Sequence, residues 1–186
     1  MLKAGDKLPA FTTTDQDGKE INSTSWKGKK VVLYFYPKDM TPGCTAEACS
    51  LRDNYTALQK AGYDVYGISS DDEKMHQKFI AKEKLPFSLL ADPNKTVHEK
   101  FGTWVEKSMY GRKYMGTARV TFIINNGVIE EVIEKVDTKN HASQILNNSG
   151  AMAPVAKATK PAKKVAKKAT KKVAKKTTAK AAKKKK

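Results

Sequence analysis

The sequence predicts an α/β fold in which a central mixed sheet carries helices on both faces. Apolar, β-branched runs alternate with helix-patterned segments between residues 31 and 102. Such alternation predicts neighbouring parallel strands joined by helices. Two further β-rich runs, ARVTFII and VIEEVIEKV, are separated by Asn126-Gly127, a strong hairpin signal that adds antiparallel strands to the same sheet.

The elements of the first half follow from local patterns. A polar hairpin, FTTTDQDGKEINSTSW, has Asp17-Gly18 at its turn. VVLYFY (31–36) is a continuous apolar run, typical of a strand covered on both faces. The segment CTAEACSLRDNYTALQKAG has apolar residues at helical spacing, which predicts one helix that ends at Gly62.

The second half continues the alternation. DVYGIS (64–69) predicts a strand, and SDDEKMHQKFIAKEKL predicts a helix capped by Ser70 or Asp71. FSLLAD (87–92) predicts a third strand, and PNKTVHEKFG predicts a short helix closed by Gly102. KNHASQILNNSG predicts the last helix. The order of these elements is that of a thioredoxin-like fold.

Charge divides the chain into two parts. Residues 151–186 contain 15 lysines and no acidic side chain, whereas residues 1–150 carry 21 basic and 19 acidic side chains. Hydrophobic periodicity ends near residue 150, which predicts a folded domain over 1–150 and a disordered tail over 151–186. The sequence has no apolar signal segment and no run of about 18 apolar residues, so we expect a cytoplasmic protein without a membrane span.

Two cysteines lie five positions apart, directly after the first apolar strand. Structural disulfides are rare in a reducing compartment, so Cys44 and Cys49 are either small buried hydrophobes or working thiols. Position 44 follows TPG at the predicted start of a helix, where unpaired N–H groups and the helix dipole stabilise an anion such as a thiolate. Thr41 can place a hydroxyl near that sulfur, and Pro37 restricts the loop.

The spacing of the cysteines predicts a conformational step. Five residues apart on an intact helix, their Cα atoms are about 8 Å apart along the axis and their side chains point about 140° apart. Disulfides rarely span more than about 7 Å between Cα atoms. Cys44 and Cys49 can therefore form a disulfide only if the helix between them unwinds.

Other cysteine chemistries fit the sequence less well. It contains no C-x-x-C motif, and two cysteines without a local histidine cluster do not make a zinc site. Histidines occur singly, as His76, His98 and His141. A cysteine–histidine acyl-transfer pair stays open on spacing alone, but we expect the histidines to be solvated surface residues.

Pro37, Thr41 and Cys44 fit the pattern P-x-x-x-T-x-x-C, which resembles the active-site signature of peroxiredoxins. The segments GDKLPAF, VVLYFYPKDMTPGCTAEACSLRD, YGISSDD, LPFSLLAD and YGRKYMGTARVTFII resemble, in the same order, the peroxiredoxin Q group, also called bacterioferritin comigratory protein. The resemblance covers residues 2–148. One departure is Val120, because a serine commonly follows the arginine at position 119.

The resemblance implies a thiol peroxidase. Cys44 would attack the O–O bond of a peroxide and become a sulfenic acid. Arg119 would contact both the thiolate and the peroxide. Together with Thr41 and the amide groups near Gly43, it would stabilise charge on the leaving oxygen. Pro37 would shield the sulfur from water.

The resemblance further implies that Cys49 resolves the sulfenic acid by forming an intramolecular disulfide, which thioredoxin or a similar dithiol would reduce. No metal, haem or flavin is needed, and the group is often monomeric. From the residues alone, two alternatives stay open: Cys49 as a packed, inert thiol, and Arg119 as a surface or salt-bridge arginine.

Lysine pairs recur every four residues in the tail, whose composition resembles that of linker-histone tails. Such a tail binds phosphate backbones by charge without reading bases. A solubilising tail, a nuclear localisation signal or another polyanion partner would fit the same charge. The candidate nucleic-acid-binding residues are Lys163, Lys164, Lys167, Lys168, Lys171, Lys172, Lys175 and Lys176.

Three functions therefore compete. The first is a thiol peroxidase with a tail that holds it near nucleic acid, associated with the nucleoid or, in a eukaryote, the nucleus. The second is a DNA-compacting protein with a vestigial peroxidase body, which the intact set of Pro37, Thr41, Cys44 and Arg119 disfavours. The third is a redox sensor or holdase in which oxidation of Cys44 signals to a partner.

Overall fold

The computed structural model describes residues 1–109 and 111–148. The predicted tail, with its eight candidate lysines, lies outside the described residues. The helices are α1 (Pro42–Asp53), α2 (Tyr55–Lys60), α3 (Glu73–Glu83), α4 (Thr96–Phe101) and α5 (His141–Asn148), with a 3-10 turn at Ser23–Trp26. The strands are β1 (Thr12–Asp15), β2 (Glu20–Asn22), β3 (Lys30–Phe35), β4 (Tyr63–Ser69), β5 (Ser88–Ala91), β6 (Trp104–Met109), β7 (Arg112–Thr117), β8 (Val120–Asn125) and β9 (Val128–Ile133).

A seven-stranded mixed sheet organises the domain, in the order β2-β1-β5-β4-β3-β8-β9. Strands β3, β4 and β5 are parallel neighbours, whereas β8 pairs with β3 and β9 in antiparallel fashion. Strand β3 lies between β4 and β8, and its residues from Val31 to Phe35 are buried. The predicted mixed sheet and both predicted hairpins are confirmed.

Helices cover both faces of this sheet, as predicted. Helices α1, α2, α3 and α5 pack on one face, against a core that includes Val32, Tyr34 and Ile123. Helix α4 and the chain before β1 pack on the other face, against alternate residues of the same strands. The period of two along β3 and β8 thus divides their apolar side chains between two cores.

The single helix predicted up to Gly62 is wrong, because the structure breaks it at Asn54. Asn54 leaves the helical conformation, with φ −114° and ψ 13°, and its side-chain amide donates to the Ser50 carbonyl at 2.9 Å. An asparagine that bonds a backbone carbonyl competes with helical hydrogen bonding. Helix α1 consequently ends at Asp53, and a separate short helix follows.

The predicted caps of α3 are also wrong, since the N-cap is Asp72, whose carboxylate accepts from the Met75 amide at 2.8 Å. Asp71 has a different role: its carboxylate accepts from Ser69 Oγ and from the Asp39 amide, both at 2.8 Å. Asp71 thus ties the end of β4 to the loop that precedes α1.

The hairpin of β6 and β7 was not predicted. Its strands form a separate two-stranded sheet, joined across Gly111. Most of β7 is exposed, so its sequence lacks the apolar alternation that marks a half-buried strand. The hairpin nevertheless matters for the site, because β7 leads directly to Arg119.

Candidate active site

Cys44 is the third residue of α1 and is almost fully buried, with a relative exposure of 1%. Thr41 occupies the N-cap and Pro42 the first helical position, which suits a residue without an N–H group. The amides of Gly43 and Cys44 belong to the first turn, where backbone N–H groups have no intrahelical acceptor. The predicted placement of Cys44 at a helix start is confirmed.

Arg119 reaches the same sulfur from the connection between β7 and β8. Its Nη2 donates to Cys44 Sγ at 3.3 Å, across 75 residues of chain. Close approach depends on Gly43, since a Cβ at that position would lie 3.3 Å from Arg119 Nη2. Arg119 therefore faces the thiol and is not a surface arginine, but the salt-bridge alternative is observed as well, because Arg119 Nη1 pairs with Glu47 Oε2.

Val120, the departure from the expected pattern, packs in the core on the α4 face of the sheet. Cys44 lies in the core on the opposite face. The valine side chain therefore lies on the other side of the sheet from the sulfur, and it supplies packing at the start of β8.

Glu47 is a site residue that sequence reasoning missed. It lies three residues after Cys44 on α1, with no exposed surface, and its Oε2 accepts from Arg119 Nη1. Burial raises the pKa of Glu47 to about 7, and the charge of Arg119 opposes the rise. The available signal was its spacing, because residues three apart share one face of a helix.

Thr41 and Pro37 flank the thiol on the preceding loop, and both are partly buried. The Thr41 hydroxyl donates to the Lys38 carbonyl at 3.1 Å and does not cap α1. Because the one hydroxyl hydrogen of Thr41 is donated to Lys38, the Thr41 oxygen is left as a hydrogen-bond acceptor.

Cys49 lies on the same uninterrupted helix and is a free thiol, like Cys44. It is partly buried against the end of α3, where its Sγ lies 3.7 Å from Glu83 Oε2. Burial raises the pKa of Cys49; the charge of Arg52 opposes the rise and that of Glu83 adds to it. In this state α1 must still unwind before the two sulfurs can bond.

The expectation that the histidines are solvated is wrong, because His76, His98 and His141 are all fully buried. His76 Nδ1 lies 2.8 Å from Asp39 Oδ2, and His98 Nδ1 lies 2.6 Å from Asp92 Oδ2. Each ring has at least one hydrogen-bond partner outside its own helix, although Nε2 of His98 has none among the described residues. These pairings were not predicted from the sequence. None of the three contacts Cys44, so no contact supports an acyl-transfer pair.

A thioredoxin-like sheet with a buried thiol at a helix start, bonded by an arginine, defines a class of thiol-based oxidoreductases.

Among the described residues, every helix is too short or too polar to span a membrane.

Comparisons with known proteins identify the family. The sequence model of the AhpC/TSA family matches residues 4–132. The chain is 50% identical over 147 residues to peroxiredoxin Bcp of Escherichia coli, covering 78% of this chain and 94% of that one. It is 39% identical over 146 residues to peroxiredoxin Bcp of Bacillus subtilis, covering 78% and 93%.

Solved structures agree with the sequence relatives. Peroxiredoxin Q of Xanthomonas campestris superposes with a TM-score of 0.74 at 33% identity, covering 80% of this chain and 97% of that one. Peroxidoxin BcpB of Mycobacterium tuberculosis superposes with a TM-score of 0.71 at 32% identity, covering 83% and 100%. The chain therefore belongs to the AhpC/TSA family and, within it, to the Bcp/PrxQ peroxiredoxins, which are thiol peroxidases.

Proposed function

We propose that the protein reduces hydrogen peroxide and organic hydroperoxides with Cys44 as the peroxidatic cysteine and Cys49 as the resolving cysteine. The observation that carries the proposal is the contact of 3.3 Å between Arg119 Nη2 and Cys44 Sγ at the start of α1. A guanidinium beside a buried sulfur stabilises a thiolate and then the charge that develops on a peroxide oxygen.

In the first step, the Cys44 thiolate attacks the terminal oxygen of the peroxide. An S–O bond forms and the O–O bond breaks, so sulfur is oxidised by two electrons to sulfenic acid. The leaving alkoxide or hydroxide takes a proton and departs as an alcohol or water. Arg119 and the amides of Gly43 and Cys44 stabilise the leaving charge, Thr41 orients the peroxide, and Pro37 shields the sulfur.

In the second step, α1 unwinds and the Cys49 thiolate attacks the Cys44 sulfur. The S–S bond forms, and the sulfenic oxygen leaves as water. An external dithiol, thioredoxin or a similar protein, then reduces the disulfide by exchange and restores both thiols. The cycle needs no metal or organic cofactor, and it requires only a monomer because both cysteines lie on one helix.

For residues 151–186 we propose sequence-independent binding to nucleic acid, which would keep the peroxidase near the nucleoid in the cytoplasm. Fifteen lysines without an acidic residue support this proposal. Lysine neutralises phosphates and releases counterions, whereas base readout needs forked or aromatic side chains. The proposed contacts are those of Lys163, Lys164, Lys167, Lys168, Lys171, Lys172, Lys175 and Lys176.

The peroxidase proposal is tested by turnover with thioredoxin, thioredoxin reductase and NADPH. We expect Cys44→Ser to abolish peroxide consumption. Cys49→Ser should consume about one equivalent of peroxide and then stall, because the sulfenic acid has no partner. Undiminished turnover in Cys44→Ser would overturn the assignment, and turnover absent in the unsubstituted protein would favour a redox sensor.

The tail proposal is tested by binding to duplex DNA across a salt series, with the full chain and a truncation to residues 1–150. We expect only the full chain to bind, with log affinity falling linearly against log salt concentration. Equal binding by both proteins, or none near physiological salt, would remove the nucleic-acid proposal and leave a peroxidase with a solubilising tail.

A further inference from the structure

One of the two carboxyl oxygens of Glu47 takes no part in the hydrogen bonds of the site. Its Oε2 holds Arg119, but among the described residues its Oε1 has no hydrogen-bond partner although it is buried. Nε2 of His141 on α5 lies 3.7 Å from this oxygen. An ionised carboxylate oxygen without a donor is costly in a protein interior, whereas a protonated oxygen is not.

The hydrogen positions on His141 follow from its neighbour Gln144. The Gln144 amide is fixed, because Oε1 accepts from the Asp137 amide at 2.7 Å and Nε2 donates to the Lys135 carbonyl at 2.9 Å. Gln144 Oε1 also lies 3.3 Å from His141 Nδ1. Since that oxygen only accepts, Nδ1 must carry the hydrogen.

Nε2 of His141 therefore has a lone pair when the ring is neutral. Burial lowers the pKa of His141 to about 4, so the ring is neutral near pH 7. The Thr121 hydroxyl lies 2.8 Å from Nε2 and donates its only hydrogen to it. The single lone pair of Nε2 accepts from Thr121, so neither His141 nor Thr121 then has a hydrogen to offer Glu47 Oε1.

The charges around Glu47 lead to the same conclusion. It faces the Cys44 thiol on its own helix, Arg119, His141 of α5, and the buried Tyr34 hydroxyl of β3. Burial raises the pKa of Tyr34, which keeps that hydroxyl neutral. Lys107 of β6 also acts on Cys44 and Arg119, from a partly exposed position. Arg119 is the cation that bonds both acids, so two ionised acids would compete for its hydrogens.

We propose that Glu47 works as a neutral carboxylic acid in the reduced enzyme, with its hydrogen on Oε1, so that the charge of Arg119 serves the Cys44 thiolate. Glu47 and His141 are then positioning residues that act through Arg119. The inference rests on the proposed peroxidase function and adds the protonation state of its site.

A pH dependence follows from the raised pKa of Glu47, about 7. Below that pH the carboxyl is neutral and the full charge of Arg119 stabilises the thiolate and the leaving oxygen. As the pH rises through this range, Glu47 ionises and competes for Arg119. The second-order rate constant for peroxide, expressed per thiolate, should fall. For a thiol that simply ionises, the rate constant per enzyme rises with pH and the value per thiolate stays constant.

The test compares variants of the full chain over about pH 5.5 to 8.5, with the rate and the thiolate absorbance measured together. Glu47→Gln keeps a carbonyl for Arg119 and replaces the acid O–H by an N–H, so it imitates the neutral acid. In this variant we expect the rate constant per thiolate no longer to fall near pH 7. At low pH it should be at least about a third of the value of the unsubstituted protein. Glu99→Gln, on the exposed surface of α4, is the matched control and should retain the fall.

The variant His141→Gln provides a second test. The amide of the new glutamine can turn an N–H towards Glu47 Oε1 and stabilise the carboxylate. We expect the midpoint of the fall to move to lower pH, a shift that loss of packing alone would not produce. A Glu47→Gln rate reduced by 100-fold or more at every pH would show that the carboxylate charge is needed and would overturn the proposal.

Infrared spectroscopy separates this inference from the peroxidase proposal. A buried neutral Glu47 gives a protonated-carboxyl C=O band below pH 7 that is missing in Glu47→Gln. This band is expected even if the protein turned over no peroxide. If the band is absent from the unsubstituted protein at about pH 6, the inference fails whatever the activity.

Discussion

His76 of α3 and Asp39 of the active-site loop form a fully buried pair, with 2.8 Å between Nδ1 and Oδ2. The other ring nitrogen lies 3.1 Å from the Leu90 carbonyl, and the Tyr36 hydroxyl donates to the remaining Asp39 oxygen at 2.7 Å. These bonds fix the loop directly before α1, where the adjacent Met40 has a φ of +57°. A strained loop conformation persists only when its surroundings hold it.

His76→Phe should therefore destabilise the fold by about 3–5 kcal/mol, because it leaves a buried carboxylate without its partner. The measurement is the free energy of unfolding in urea. The double variant Asp39→Ala/His76→Phe should recover much of the loss, since removing both polar partners is less costly than orphaning one. Single and double variants of equal stability would contradict the pairing.

Gly43→Ala should separate activity from stability. The added Cβ would lie 3.3 Å from Arg119 Nη2 and displace the guanidinium by a few tenths of an ångström. We expect the peroxide rate constant to fall by about tenfold, whereas stability holds or rises by about 0.5–1 kcal/mol because alanine favours a helix. An unchanged rate would mean that Arg119 tolerates displacement.

Glu83→Gln should speed the formation of the Cys49 disulfide. Glu83 accepts the thiol hydrogen of Cys49, and its charge raises the pKa of that thiol, so it holds Cys49 in the folded position. Removing the charge weakens this contact by about 1 kcal/mol, or about fivefold in rate. The measurement is acid-quenched disulfide formation after one equivalent of peroxide. Glu106→Gln, at an exposed position of β6, is the control. Equal rates of disulfide formation in the two variants would contradict the prediction.

Stability against pH should show two opposing contributions from Glu47 and His141. The folded pKa of Glu47, about 7, exceeds its ordinary value of 4.5, so its contribution is lost as pH rises between these values. The folded pKa of His141, about 4, lies below 6.5, so its contribution is lost as pH falls through that window.

Between about pH 4.5 and 6.5 the two slopes cancel, because the folded state holds one proton more on Glu47 and one fewer on His141. Glu47→Gln should unmask the histidine, with stability rising by up to about 3 kcal/mol towards pH 6.5. Urea unfolding at several pH values measures these slopes. A flat profile in Glu47→Gln would contradict the assigned protonation of His141.

The sequence was sufficient where one local signal decides the outcome. The apolar run of β3 needed burial on both faces, and Asn126-Gly127 specified a hairpin; both features are observed. The position of Cys44 followed in the same way, because Pro42 and Gly43 mark a helix start. These residues act through their own backbone preferences or their own burial.

Features that depend on distant partners escaped prediction. The histidines are polar in sequence, and only the folded chain brings Asp39 to His76 and Thr121 to His141. In the sequence, Glu47 is an ordinary acidic residue of a helix, because no neighbouring residue indicates that α5 and Arg119 enclose it. Asn54 ends α1 because its side chain, and not its backbone N–H, bonds the Ser50 carbonyl. Helix propensity alone does not predict which of the two bonds forms.

The arginine that bonds the sulfur follows Cys44 by 75 residues, directly before the strand that pairs with β3 through Phe35 and Val120. During synthesis Cys44 is made roughly 4 to 15 s before Arg119. A nascent or truncated chain thus exposes a cysteine that lacks its activating partner. In the proposed cycle, reactivity towards peroxide is therefore expected only of a chain that has grown past Arg119 and folded.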